Sequence, residues 1–304
     1  MKKLRFLVSL HSRENDFQRA QAQCAEDTAS RLGTDVEIVF ADDDAVNQST
    51  QLLKAIQGEK QSRPDAILLE PVGREALPQV ARAAVSAGIG WVVLNRYPEY
   101  LAELRRTKAT VPVFAVTANH EEIGRIQGRQ FAVLRPAGGS ALYIEGPSRS
   151  SSAQRRTAGM LQTKPANLQV SMLKASSWTE ESATRAVLSW LKLATSKRTA
   201  IDLVGAQDDA MAMGARKAFE QLADANARAR WLSLPFTGCD GQPATGQAWV
   251  REKLLTATIH IPLLTGQAME MLAKAIRDGT QPPEHSLTKS FSIPPLESLA
   301  PRNL

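Results

Sequence analysis

Residues Ile201 to Gly214 read IDLVGAQDDAMAMG: a short apolar run breaks into Gln207, Asp208 and Asp209 and passes straight into a helix-period pattern. A second break of the same kind follows at Phe236 to Gly241, FTGCDG. Bare carboxylates are poor residues inside a strand, yet they suit the carboxyl end of a parallel strand, where open α/β sheets hold their ligands. The acids therefore read as ligand hooks. The competing reading is that they cap the helices that follow, and the sequence leaves Asp209 open between the two.

Outward from these breaks, apolar segments bounded by turn residues alternate with 3.6-period segments along the chain, which predicts βαβ units around parallel sheets. Strands are expected at Leu4–Leu10, Val36–Phe40, Ala66–Leu69, Trp91–Leu94 and Val113–Val116. Beyond a capping-box spacing at Asn119 and Glu122 a second series begins, with strands at Ala141–Ile144, Leu168–Leu173, Ile201–Val204, Pro235–Thr237 and Thr256–Ile261. Asn15 or Asp16 can cap the first helix, whose stripe is Phe17, Ala20, Cys24 and Leu32, ended by Gly33. A last helix, Leu264–Arg277, stops at Gly279, and the prolines from Pro282 onward mark an extended tail. At 304 residues the chain is too long for one ordinary doubly wound sheet and about right for two, taking roughly 150 residues per domain.

Composition removes several function classes. The net charge of +6 comes from 37 basic against 31 acidic residues spread along the chain, so a solvated basic surface is the reading of choice over nucleic-acid binding. Two small clusters, Arg105, Arg106 and Lys108, and Arg149, Arg155 and Arg156, lack interleaved aromatics, and no helix-turn-helix precedes the first strand. Cys24 and Cys239 show no pairing or metal spacing and read as reduced packing residues. After MKK, the run LRFLVSL is interrupted by Arg5 and lacks a cleavage site, so the chain as written is expected to be cytoplasmic, or periplasmic if an export segment has been removed. No run approaches the about eighteen apolar residues of a membrane span, and direct membrane insertion is not expected. The four histidines sit in unrelated contexts, and no GxSxG elbow, zinc-ligand pair, Walker loop or correctly placed GxGxxG occurs. Neither catalysis, a metal nor a cofactor is expected.

What remains is a set of polar groups at the carboxyl ends of strands: Asn95 and Arg96, Asn119, Asp208, Asp240, with Glu70 and His260 as further candidates. Carboxylates accept from hydroxyls, Arg donates in a planar fork and Asn does both, a mixture that saturates a polyhydroxylated ligand. Trp178 could offer a flat face to the apolar side of a pyranose ring, or simply pack in the core. The segment Gly146–Arg156, GPSRSSSAQRR, reads either as a solvated loop or as an anion cradle at a helix N-terminus.

AQDDAMAMGA (Ala206–Ala215), GCDG (Gly238–Gly241), TATIHIP (Thr256–Pro262), PDAILLEP from Pro64 and GIGWVVLNR from Gly88 together resemble the type I periplasmic sugar-binding proteins, the ribose-binding-like group that shares its fold with LacI-type effector-binding cores. The first of these matches the family's AxNDxMAxGA run and the second its GxDG. The resemblance implies two similar α/β lobes with doubly wound parallel sheets, joined by a three-segment hinge: residues 1–117 with 263–290 as one lobe, 118–262 with 291–304 as the other. It implies a monosaccharide or polyol closed between them, with Phe17 and Trp178 sandwiching the ring and Asn95, Arg96, Asp208 and Asp240 on the hydroxyls. Glu70, Asn119, Gln154 and His260 fall at or near further contact positions. Gln154 stands where the family often has an Arg, so Arg155 or Arg156 is expected to take over, and Asp16 replaces an aromatic common beside Phe17. The expected role is a solute-binding protein delivering sugar to an ABC permease. The alternative is a sensor related to LacI-type effector domains that binds a sugar phosphate and reports to a regulatory protein.

Overall fold

The computed structural model describes residues 3–72, 76–193 and 200–301. The chain forms two compact units, one of residues 1–118 and 263–288, the other of 119–262 and 289–304, so the backbone passes from one to the other three times.

In the first unit, β1 (Arg5–Leu10), β2 (Asp35–Phe40), β3 (Ala66–Leu69), β4 (Gly90–Leu94), β5 (Val113–Ala118) and β11 (His285–Thr288) form one sheet in the order β11-β5-β4-β3-β1-β2, every pair parallel. Side chains alternate across a strand, so a sheet covered on both faces needs apolar residues at nearly every position. Phe6, Val8, Leu10, Leu68, Val92 and Phe114 meet helices α1 (Asp16–Leu32) and α11 (Leu264–Asp278). Leu7, Ile67, Leu69, Trp91 and Val93 meet α2 (Ala45–Gln57), α3 (Pro78–Ser86) and α4 (Tyr100–Thr107). Asn15 is the N-cap of α1, its side chain accepting from Gln18 N at 3.0 Å, and Gly33 ends that helix in the left-handed region at φ 65°. α11 has no side-chain cap of its own. Gln21 supplies one from α1, its Oε1 accepting from Leu264 N (2.9 Å) and Thr265 N (3.1 Å), which satisfies two amides that the helix start would leave open.

The second unit repeats the scheme. Its sheet runs β7-β6-β8-β9, with β6 (Gly139–Glu145), β7 (Leu168–Lys174), β8 (Leu203–Ala206) and β9 (Phe236–Thr237) all parallel, and β10 (Thr258–His260) joined to it by bridges Thr237–Ala257 and Asp240–His260. Tyr143, Ala141 and Leu203 pack on α5 (His120–Leu134) and α6 (Ser151–Thr163). Leu142, Ile144, Val204 and Phe236 pack on α7 (Glu180–Leu191), α8 (Asp209–Glu220) and α9 (Ala225–Ser233). A short α10 (Gly246–Arg251) precedes β10.

The α/β class, the parallel sheets and the two lobes agree with the sequence reading. Three local expectations change. The segment between Leu94 and Val113, where the sequence reading placed no element, contains α4, because Leu101 and Leu104 one turn apart reach the core while Glu103, Arg106 and Thr107 face water. The tail is not merely extended: His285–Thr288 adds an edge strand beside β5, and β12 (Phe291–Ile293) pairs antiparallel with β10. The Asn119–Glu122 capping box forms only by half. Asn119 accepts from Glu122 N at 3.1 Å, but the Glu122 carboxylate turns to Arg129 (2.6 Å) and Arg125 (3.3 Å), since charge-assisted bonds outcompete a neutral amide. Burial opposes ionisation of Glu122, and these arginines more than offset it, holding the carboxyl below its ordinary range.

Candidate functional site: two sets of polar groups at the strand ends

In the first unit the strand order β2-β1-β3-β4-β5 reverses direction between β1 and β3, and the carboxyl ends on either side of such a switch point are where open sheets bind ligands. Glu70 leaves β3 there and is buried. One carboxylate oxygen accepts from Gln18 Nε2 at 2.9 Å and the other from Asn95 Nδ2 at 2.9 Å. Gln48 braces the same corner, donating to Ser9 Oγ (3.0 Å) and the Glu70 carbonyl (2.9 Å). Glu70 thus positions Asn95, whose side-chain oxygen is buried without a hydrogen-bond partner in the structure. Asn95 also sits at φ 60°, a left-handed conformation that Asn tolerates better than most residues. Arg96 follows, half-buried, and Phe17 is buried in the first turn of α1. His11, which the sequence reading left unassigned, leaves β1 beside them, 3.1 Å from the Pro71 carbonyl and 3.4 Å from Asp43. Burial disfavours its charged form, but the hydrogen bond to Asp43 and the charges of Glu70 and Asp43 prevail and raise its pKa above the ordinary value.

The second unit has the same reversal, between β6 and β8. Gln207 leaves β8 fully buried and acts as a hub: its amide nitrogen donates to Ala153 O and Thr157 Oγ1, both at 2.9 Å, and its oxygen accepts from Gly146 N at 2.9 Å. Next to it Asp208 caps α8, accepting from Met211 N at 3.2 Å. Asp208 is buried and hydrogen-bonded to Asp240, itself buried and held at φ 102°. A non-glycine residue there is strained by about 1–3 kcal/mol, and such strain gathers at functional sites. Burial, then the charge of Asp240, then that of Asp209, push the Asp208 pKa well above the ordinary value. Asp209, left open by the sequence, is neither hook nor cap: its two oxygens accept from Thr258 Oγ1 (2.6 Å) and Gly241 N (2.7 Å), tying β10 and the GCDG turn to α8.

Arg156 is the buried cation of this corner. It donates to the Gln207 carbonyl, lies 3.8 Å from Asp240, and places its guanidinium carbon 5.4 Å from the Trp178 ring centre. Of its two readings Trp178 meets the core-packing one, lying half-buried against the core of the unit, and it carries Arg156 on its ring. Its six-membered ring stands where a side chain at Gly146 would project, which is why that position has none.

Gln154 and Arg155, named for the site from the sequence, stand on the exposed side of α6, with Gln154 donating to the Ser148 carbonyl at 3.0 Å. Of the two arginines offered as replacements, Arg156 is the one turned inward. The signal was present in the spacing of Ala153, Arg156, Gly159 and Met160, the buried stripe of α6. The same geometry answers the anion-cradle reading. Ser150 is spent as the helix cap and Arg149 is exposed, while the inward arginine faces a carboxylate. Asn119 is occupied as the cap of α5, and His260 lies half-buried with Nδ1 3.0 Å from the Gly241 carbonyl and its ring 5.0 Å from Phe291. Cys239 is fully buried and Cys24 half-buried, and neither forms a disulfide. Among the described residues no group of three or more His, Cys, Asp or Glu is arranged to hold a metal, and no helix is long and apolar enough to cross a membrane.

Comparison with known proteins follows the same lines. The D-apiose import binding protein of Paraburkholderia graminis is 27% identical over 283 residues, covering 91% of this chain and 82% of that protein. A solute-binding protein of an ABC transporter from Actinobacillus succinogenes, solved with D-allose, superposes with a TM-score of 0.80 at 20% identity, over 95% of this chain and 97% of that one. The myo-inositol binding protein of Caulobacter superposes at 0.77 with 21% identity, over 95% and 92% of the two chains. At such identities the two structures establish the fold. The family model described as "Periplasmic binding protein domain" matches residues 6–281, nearly the whole chain, and the protein belongs to that family.

Proposed function

We propose that this chain is a non-catalytic solute-binding protein for a monosaccharide or related polyol, which delivers its ligand to an ABC-type permease and works in the periplasm. The observation that carries the reading is the corner of Asp208, Asp240, Arg156 and Trp178: acceptors, a planar donor and an aromatic face gathered at one switch point. Carboxylates accept hydrogen bonds from hydroxyls, the guanidinium donates to ring or hydroxyl oxygens, and the indole presents apolar surface to C–H groups. Glu70, Asn95, Arg96 and Phe17 offer the same chemistry at the equivalent strand ends of the first unit, with His260 and Asn119 as supporting contacts. The relatives named for D-apiose, D-allose and myo-inositol support a small polyhydroxylated ligand. A sugar phosphate, as the sensor alternative would take, meets a pair of acids beside the one inward arginine and is disfavoured by like charge.

Calorimetric titration with pentoses, hexoses in both ring forms, and cyclitols tests the proposal. Saturable binding of at least one compound, abolished by Arg156→Met, is expected. No heat from the whole panel at millimolar ligand would overturn it.

A further inference from the structure

The buried acids at the carboxyl edge of the second unit's sheet outnumber the buried cations there in a way a neutral sugar does not call for. Asp208, Asp209, Asp240 and Glu145 are all buried at the carboxyl edge of its sheet, and Arg156 is the buried guanidinium among them. Asp209 is satisfied by a hydroxyl and an amide, both neutral donors. Glu145 accepts from Thr157 Oγ1 at 2.6 Å through one oxygen, while its other oxygen is buried with no hydrogen-bond partner. Arg156 is partly consumed by the Gln207 carbonyl, and its Nε is likewise without a partner. Of the other titratable neighbours, Tyr143 and Cys239 are fully buried, and burial keeps both neutral. His260 shares Nδ1 with the Gly241 carbonyl, and His120 shares Nε2 with Ser152 Oγ at 3.1 Å.

Two hydrogen-bonded carboxyls out of water cannot both ionise, so with nothing else present the Asp208–Asp240 pair must keep a proton between them. We propose that the Asp208–Asp240 pair selects a polyol bearing a protonated amine, an amino sugar or aminocyclitol, whose ammonium takes the place of the shared proton. An ammonium brings three donors and one positive charge to two acceptors that need both, and charge-assisted bonds are roughly twice as strong as neutral ones. The inference rests on the proposed polyol-binding function and names the ligand class of the same site.

The test compares glucosamine, galactosamine, mannosamine and an aminocyclitol with their neutral parents, by calorimetry at pH 6.0, where the free amines are already protonated, in two buffers of different ionisation enthalpy. At least one amino compound is expected to bind ~10-fold or more tightly than its parent. Its binding should release a proton that the parent's does not. Asp208→Asn keeps a good helix cap and should lose both the proton release and the preference; Asp240→Asn serves if that variant does not fold. Neutral parents binding as tightly as the amines, or amine binding without proton release, would overturn the inference and leave the polyol proposal standing. Silence from both classes would overturn both.

Discussion

Arg155 and Arg156 are neighbours in sequence and opposites in environment, one exposed on α6 and the other buried over Trp178 and beside Asp240. Removing a buried partner leaves its counter-charge stranded, so Arg156→Met should lower the unfolding free energy by about 3 kcal/mol, while Arg155→Ala should stay within about 0.5 kcal/mol of wild type, both read from urea melts. Asp208 acts on stability with the opposite pH sense to an ordinary salt-bridged acid. Its native pKa is raised, so the folded chain holds a proton that the unfolded chain has released. That contribution is fully present below the ordinary carboxyl value near 3.8 and is lost as pH climbs through the native value. Asp208→Asn should therefore gain stability relative to wild type as pH rises from 5 to 8, measured as urea midpoints across that range. A constant difference would mean that the acid is ionised in the native state throughout.

At the scale of elements, the site of the second unit depends on how closely two helices approach. Gly124 in α5 and Gly159 in α6 lack side chains where a Cβ would run into the carbonyl oxygens of Arg156 and Glu121 respectively. The backbones touch there, and that contact sets the depth at which α6 carries Arg156. Gly124→Ala must push the helices apart, and overpacking of this kind costs about 1–3 kcal/mol. The variant should melt earlier in urea and should also bind ligand more weakly, because Arg156 moves with the helix. Unchanged affinity at reduced stability would separate the packing from the site.

At the scale of the molecule, the two units build the same strand order from different residues. Asn95 after β4 and Asp240 after β9 occupy corresponding places, and both stand in the positive-φ region. Each unit thus prepares a polar corner at its own switch point on a rigid, two-sided core. Because a ligand that binds only the folded protein stabilises it by mass action, a bound polyol at about 100 times its Kd should add roughly 2.7 kcal/mol, seen as a concentration-dependent rise in the thermal midpoint. Denaturation of Arg156→Met in the same ligand should show no such rise.

Periodicity alone determined the α/β class, the two series of βα units and the strand ends where polar residues emerge, because alternation of buried side chains is a local property written into successive residues. Residue identity within IDLVGAQDDAMAMG and FTGCDG marked the acids that stand buried at the strand ends. Only the tertiary structure decided what each acid does. Asp208 and Asp240 lie on different βα units, and their hydrogen bond exists because β8 and β9 are adjacent in the sheet. Asp209 looked like its neighbour in sequence, but one residue further into the helix its carboxylate points to Thr258 and Gly241 and is consumed by the fold. The choice of Arg156 over Arg155 turned on helix phase against α5, and the strands in the proline-rich tail on partners more than thirty residues upstream in β5 and β10. Pairing across such separations depends on which surfaces meet, and no local stretch of sequence contains that information.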